Sequence, residues 1–254
     1  MFTAFANRGL QIDPNARLFL SATGITDANI SKAINNLVLD LKDSGVWDDC
    51  DAIYPFVGGT STTHSYNLKN TSTYQISWSG TVTHDSNGIT GNGSNGYGNT
   101  GWNQTTAGRN TDGHISIYSR TNYNSGGGVL MSDMGAGVFP SESLMALSNN
   151  ATTYWIYNSA VRSAAYGNTQ GHYLTNRGSS ATVGWKNGSS ISSGANGSGY
   201  PNVNLTICAQ NRNGSIERFT TRNYAFASMG AEISDVSSYY TIIQNFQTTL
   251  GRQV

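Results

Sequence analysis

The apolar positions change their rhythm twice along the chain. In "TDANISKAINNLVLDLKDSG", Ile30, Ala33, Ile34, Leu37, Val38 and Leu41 recur at steps of three and four, with Thr26 or Asp27 placed to cap and Gly45 to stop. That spacing predicts an amphipathic helix over about 27–44. From Ala52 to about Ala231 the step becomes two. "HISIYSR" sets Ile115 and Ile117 against His114, Ser116 and Tyr118, and "VNLTICAQN" sets Leu205, Ile207 and Ala209 against Asn204, Thr206 and Cys208. "TTYWIYN", "SLMALS", "GVLMSD" and "NYAFASMG" are similar runs bounded by Gly, Asn and Ser, and they read as strands. In "TVGWKNGSSIS", Asn187–Gly188 supplies the two positive-φ positions of a type I′ hairpin turn. About a dozen such strands with no helical pattern between them predict a two-sheet antiparallel sandwich rather than a parallel α/β fold.

A second helix closes the chain in "SDVSSYYTIIQNFQTTLG". Ser234 is its cap, Val236, Tyr239, Tyr240, Ile243, Phe246 and Leu250 form its stripe, and Gly251 ends it. Residues 1–20 keep neither period. They read as an extended attachment arm whose Phe2, Phe5, Leu10 and Phe19 suit a groove of another protein. The expected organisation is that arm, a helical connector over 21–50, and a sandwich with its closing helix over 51–254.

Composition narrows the partners. Charged residues are 11% of the 254, against a typical value of about 25%, and the net charge is zero with 11% aromatics. Disorder needs high net charge and few aromatics, so the chain reads as folded with a neutral surface rich in hydroxyls and amides. Such a surface lacks the charge repulsion that keeps monomers apart, and a homodimer or homotrimer is expected. Four lysines and ten scattered arginines make no basic stripe for nucleic acid. The longest apolar runs are only a few residues, too short to insert in a membrane. The first twenty residues lack the basic and apolar regions of a signal peptide, so none is expected. Cys50 and Cys208 read as two buried free thiols, being too few for a disulfide framework or a zinc site.

"WDDCDAIYPFVGG" packs Asp48, Asp49 and Asp51 around Cys50 just past a helix stop. A calcium loop would need D-x-D-x-D-G spacing and a distal Glu, so these aspartates read as turn formers where helix hands over to strand. Asp85, Asn87 and Gly88 echo D-x-N-G, but no Glu follows until Glu142. No metal or cofactor is expected. Glycoside hydrolysis needs two carboxylates about 5–10 Å apart. Between Ala52 and Ala231 only Asp85, Asp112, Asp133, Glu142 and Glu217 occur, no two closer than nine residues in sequence. The serine elbow and the phosphate loop are missing, and His64, His84, His114 and His172 never fall at ligand spacing. The chain reads as a non-enzyme, with a glycoside hydrolase assembled from distant strands as the weaker alternative.

Two phrases carry a resemblance. Lys42, Gly45 and Trp47 lead into "DAIYPFVGGT", then His64, Asn67, Leu68 and Lys69, and the chain closes on "FQTTLGRQV". This pattern resembles lectin-like domains in structural and appendage proteins of tailed bacteriophages, over about residues 24–254 and most specifically at the two ends. The resemblance implies a concanavalin A-like jelly roll in a head- or tail-attached fibre or decoration component, assembled in the host bacterial cytoplasm. Other virion proteins would be partners; family membership does not itself bring sugar binding, and host-surface carbohydrate is a separate expectation for an adhesive fibre tip. The resemblance brings no catalytic motif. The alternative is a carbohydrate-binding module of a host-recognition appendage, with Tyr97, Trp102, Trp185 or Tyr200 beside asparagines as the sugar platform. Packing in a core or an interface would explain the same rings.

Overall fold

The computed structural model describes residues 12–123, 131–149, 152–165 and 167–254. Three helices open it: α1 (Pro14–Thr23), α2 (Ala28–Asp43) and α3 (Val46–Asp49). Strand β1 (Cys50–Tyr54) and helix α4 (Ser61–Ser65) follow. Then come β2 (Ser77–Ser79), β3 (Val82–Asp85), β4 (Gly88–Gly91), β5 (Tyr97–Asn99) and β6 (Gly113–Ser119). Next are β7 (Met134–Val138), β8 (Ser141–Asn149), β9 (Thr152–Tyr157), β10 (Ala160–Ala165) and β11 (Gly171–Arg177). The remaining strands are β12 (Thr182–Lys186), β13 (Ser189–Gly194), β14 (Thr206–Ile207), β15 (Gln210–Arg212), β16 (Ser215–Glu217) and β17 (Asn223–Gly230), before helix α5 (Val236–Thr249).

Among the described residues the strands form two sheets. The first runs β13-β12-β11-β6-β17-β4-β3, with β1 paired to the far half of β17. The second runs β10-β9-β8-β7-β14-β5-β2, with β15 and β16 joined to it. Pairing is antiparallel apart from a short parallel contact between β15 and β7. The fold is therefore the expected antiparallel sandwich with a helix at each end of the chain. Between the sheets lie Ile115, Ile117, Met145, Trp155, Tyr173 and Met229, all buried.

The first sheet is covered on its other face too. Phe19 of α1, Leu37 and Leu41 of α2, and Ile243 and Phe246 of α5 pack with Leu174 and Phe226. The molecule is thus three layers: sheet, sheet, helices. This explains why every residue of β6 and β11 is buried. His114 and Ser116 of β6 and His172 and Asn176 of β11, on the same faces as Tyr118 and Leu174, look toward the helices rather than water. Ser116 Oγ lies 2.9 Å from Ser228 Oγ, which lies 2.6 Å from the Tyr239 hydroxyl.

Local chemistry sets the boundaries. The Asp27 carboxylate accepts from the Ile30 amide at 2.8 Å, and Gly45 at φ 80° ends α2. Asn187 and Gly188 sit at φ 49° and 74° in the predicted turn, with Lys186 opposite Ser189. The cap of α5 is Asp235, accepting from Ser238 at 3.0 Å, one residue beyond the expected Ser234.

Two expectations are corrected. The arm does not reach residue 20. Asp13 caps α1 through the Asn15 amide at 2.9 Å, Pro14 occupies the first turn where its missing N–H costs nothing, and Lys42 clamps Asp13 at 2.8 Å. Phe19 is consequently a core residue of its own domain, unavailable to a neighbour. Phe2, Phe5 and Leu10 lie outside the described residues. The run "VNLTICAQN" is not one strand, because Cys208 stands at φ 68° and breaks it after Ile207.

Two buried cations fasten the layers. Arg222 Nη1 meets Asp133 Oδ1 at 2.8 Å with both side chains fully buried, and Tyr224 and the Leu147 amide also bond that carboxylate. Removing one partner of such a pair costs about 3–5 kcal/mol. Near the chain end, Arg252 donates to the carbonyls of Phe56 (2.7 Å), Pro55 (3.1 Å) and Ala225 (3.1 Å) and to Gln247 Oε1 (3.0 Å). This ties the closing "GRQ" phrase to the opening "YPFV" phrase. Burial pushes the Arg252 guanidinium down to about 9.

Candidate binding surface

The four rings named from sequence do not converge. Trp185 on β12 is half-buried against the helix-layer core. Tyr97 on β5 is half-buried beside Phe219, ring centroids 6.4 Å apart. Trp102 is only 1% exposed, with its indole N–H donating to Asp51 Oδ2 at 3.0 Å, so it cannot be a surface platform. It plugs the end of the sandwich where the connecting loops close over the core. Tyr200 alone is open, at 39%.

Tyr200 has a companion that sequence reasoning missed. Strands β5, β7, β9 and β13 end, and β6, β8 and β10 begin, at one end of the sandwich. Phe139 at the β7–β8 tip is 69% exposed there, and Val161 of β10 is 45% exposed. The segment 195–203 crosses both neighbouring hairpin tips. At Gly199 a Cβ would strike the Pro140 carbonyl, and at Gly197 it would strike the Asn158 carbonyl, so only glycine permits these approaches. The available signal was Phe139–Pro140 between Gly137 and Ser141, an aromatic placed in a turn where packing does not require one.

A buried polar network lies at the same end. Gln104 donates to Asn158 Oδ1 and accepts from Ser143 Oγ at 2.7 Å, and Asn158 Nδ2 donates to the Asn110 carbonyl at 2.6 Å. Thr105 Oγ1 donates to the Pro201 carbonyl at 2.8 Å, and Asn103 Nδ2 to Asn202 Oδ1 at 3.1 Å. These side-chain bonds tie the turn at 103–105 to the segment that carries Tyr200 and to the β9–β10 tip.

The aspartates of "WDDCD" part company. Asp51 takes Arg109 in a two-point pair at 2.7 and 3.0 Å, Asp49 accepts weakly from Ser234 at 3.4 Å, and Asp48 is exposed near Lys69. They serve the handover from α3 to β1. Each sandwich carboxylate is likewise committed: Asp85 to the Asn87 amide (2.7 Å), Asp112 to Arg109 (3.6 Å), Asp133 to Arg222, Glu142 to Gln210 (3.4 Å) and Glu217 to Arg212 (2.6 Å). His114 Nε2 approaches Ser228 Oγ at 2.8 Å, yet both are buried beneath Tyr239 where no substrate enters. His64 Nε2 accepts from the Gly59 amide (3.3 Å), which leaves its Nδ1–H to donate to His84 Nδ1 at 3.1 Å. Among the described residues no group of three His, Cys, Asp or Glu converges as a metal site. Cys50 and Cys208 are buried and unbridged, and burial pushes both thiols up.

No family model and no curated protein matches this chain. Solved structures do. The receptor binding domain of botulinum neurotoxin C/D mosaic serotype superposes with a TM-score of 0.57 at 10% identity, over 78% of this chain and 52% of that one. A structure described under the cell entry of botulinum neurotoxin type C and its interaction with two ganglioside molecules gives 0.57 at 11%, over 80% and 53%. Domain 4 of AbnA, a GH43 extracellular arabinanase from Geobacillus stearothermophilus, in complex with arabinotriose, gives 0.54 at 12%, over 77% and 98%. The chain spans about half the length of the toxin chains and nearly all of the arabinanase domain. What they share with it is the β-sandwich fold, which in these neighbours belongs to receptor- and carbohydrate-binding domains.

Proposed function

We propose that the protein is a non-catalytic adhesion domain that binds carbohydrate on a cell surface through the Phe139–Tyr200 end of its sandwich. The observation that carries this is two exposed rings at one end of the sandwich, beside amide-rich loops bonded to one another. Aromatic faces stack on the C–H faces of sugars, while Asn and Thr side chains offer donors and acceptors to hydroxyls. The neighbours described with gangliosides and with arabinotriose lend support. Phe139→Ala and Tyr200→Ala should each weaken oligosaccharide binding at least about tenfold, or ~1.4 kcal/mol, with unchanged melting. Titration calorimetry reads this, and full affinity in both variants would sink the reading.

The domain is further proposed to ride on a tailed-phage virion, as a head- or tail-attached fibre or decoration component and as a homodimer or homotrimer. The support is the resemblance of the "DAIYPFVGGT" and "FQTTLGRQ" phrases and the neutral surface. Immunogold labelling of particles tests the location, and light scattering at micromolar concentration tests the association. Unlabelled particles or a monomeric mass would refute the respective claim.

A further inference from the structure

We infer that the ligand of this end is an uncharged oligosaccharide, held by ring stacking and amide hydrogen bonds without a bridging metal ion. This rests on placing the binding site at Phe139 and Tyr200, and it follows from what surrounds them. The segments that build the end are "GWNQTTAG" (101–108), "FPS" (139–141), Asn158–Ser159 and "ANGSGYPNVN" (195–204). None contains an Asp, Glu, Lys, Arg or His.

Three charges flanking these segments are engaged, while Arg177 at the end of β11 is buried. Arg109 is paired with Asp51 at 2.7 Å and lies 3.6 Å from Asp112. Arg162 donates to the carbonyls of Thr182 (3.1 Å), Val161 (2.7 Å) and Ala195 (2.5 Å). Glu142 is buried and meets Gln210. A sialic acid, uronate or sulfate would be recognised by a guanidinium or ammonium offering charge-assisted bonds, and the ring-bearing loops provide neither. A bridging calcium ion would need six to eight oxygens, several of them carboxylate, where these loops hold no carboxylate at all.

What the loops do offer is suited to hydroxyls, which both donate and accept. Asn202 is exposed, its carbonyl oxygen accepts from Asn103, and its amide supplies two further N–H donors. Thr106 and Ser198 are exposed hydroxyls in the same segments. Uncharged binding of this kind is insensitive to ionic strength, because screening acts only on charge.

The test compares neutral oligosaccharides (arabinose, glucose and galactose series) with sialylated, uronate and sulfated ones, on the parent protein and on Phe139→Ala, Tyr200→Ala and Asn202→Ala. Neutral members should bind, change affinity by less than about twofold between roughly 0.05 and 0.5 M salt, ignore EDTA, and weaken in all three variants. A preference for acidic sugars, a steep loss with salt or abolition by EDTA, while dependence on Phe139 and Tyr200 persists, would overturn the uncharged class and leave the site standing. Binding that is indifferent to Phe139 and Tyr200, or no binding by any oligosaccharide, would overturn the site and this inference with it.

Discussion

Three histidines make the molecule acid-sensitive one residue at a time. Burial pushes His64 and His172 down to about 3 and His114 to about 4, from an ordinary value of 6.5. His172 is the extreme case: its Nε2 has no partner, and its ring centroid lies 5.2 Å from that of Tyr239 and 6.2 Å from that of Tyr240. An imidazole kept neutral in the folded chain but free to protonate when unfolded makes unfolding take up protons below about pH 6.5. The stabilisation is therefore complete above about pH 7 and drains away as pH falls toward 4 and 3. Burial also raises the Asp133, Asp49 and Glu232 carboxyls, which works in the opposite sense nearer the acid end. A melting temperature level from pH 7 to 8 and falling steadily between 6.5 and 4 is expected. A profile flat down to pH 4 would show that these imidazoles reach water.

Helix α1 shows where an element outruns its signal. Its ten residues offer only Ala16, Phe19 and Leu20 to the core, too short a stripe to announce a period, whereas the sixteen of α2 repeat theirs over four turns. Replacing Phe19 by Ala should cost about 3–5 kcal/mol in urea unfolding, while deleting residues 1–11 should leave stability nearly unchanged and remove incorporation into particles. If the deletion destabilises as much as Phe19→Ala, the preceding residues belong to the core as well. The strand "NYAFASMG" was legible to the residue because both its faces are apolar or paired, and β17 spans Asn223–Gly230. The break at Cys208 was not, since nothing in an alternating run marks a left-handed residue. The proposed binding end was half legible. Tyr200 was one of four rings named beside asparagines with nothing to rank them, and whether Trp102 plugs the end or faces water depends on Asp51, fifty-one residues away.

At the scale of the whole molecule, closure depends on contacts between distant parts of the chain. Arg252→Ala would strand the buried carbonyls of Pro55 and Phe56, each worth about 1–3 kcal/mol when unsatisfied, and leave Ala225 with only the long bond from Gln247 at 3.4 Å. Calorimetry should show a fall of at least about 5 °C, since 1 kcal/mol is worth about 2–4 °C in a chain of this size. Arg252→Lys should recover only part, a single ammonium being unable to span the same acceptors. A variant that melts with the parent would show that the guanidinium is a passenger.

The pairing of β1 with β17, Cys50 opposite Gly230, also sets a timetable. Arg252 is separated from Phe56 by 196 positions. At a synthesis rate of about 5–20 residues per second, the first strand waits roughly 10–40 s for its neighbour and its clamp. Until β6 and β11 have emerged, the helices α1 and α2 have no sheet to cover, and the edge of β1 stays open to any other nascent chain until β17 arrives. A newborn copy is thus most exposed to aggregation before its own last strand leaves the ribosome, and crowded, rapid expression would be harder on this protein than heat is on the finished one.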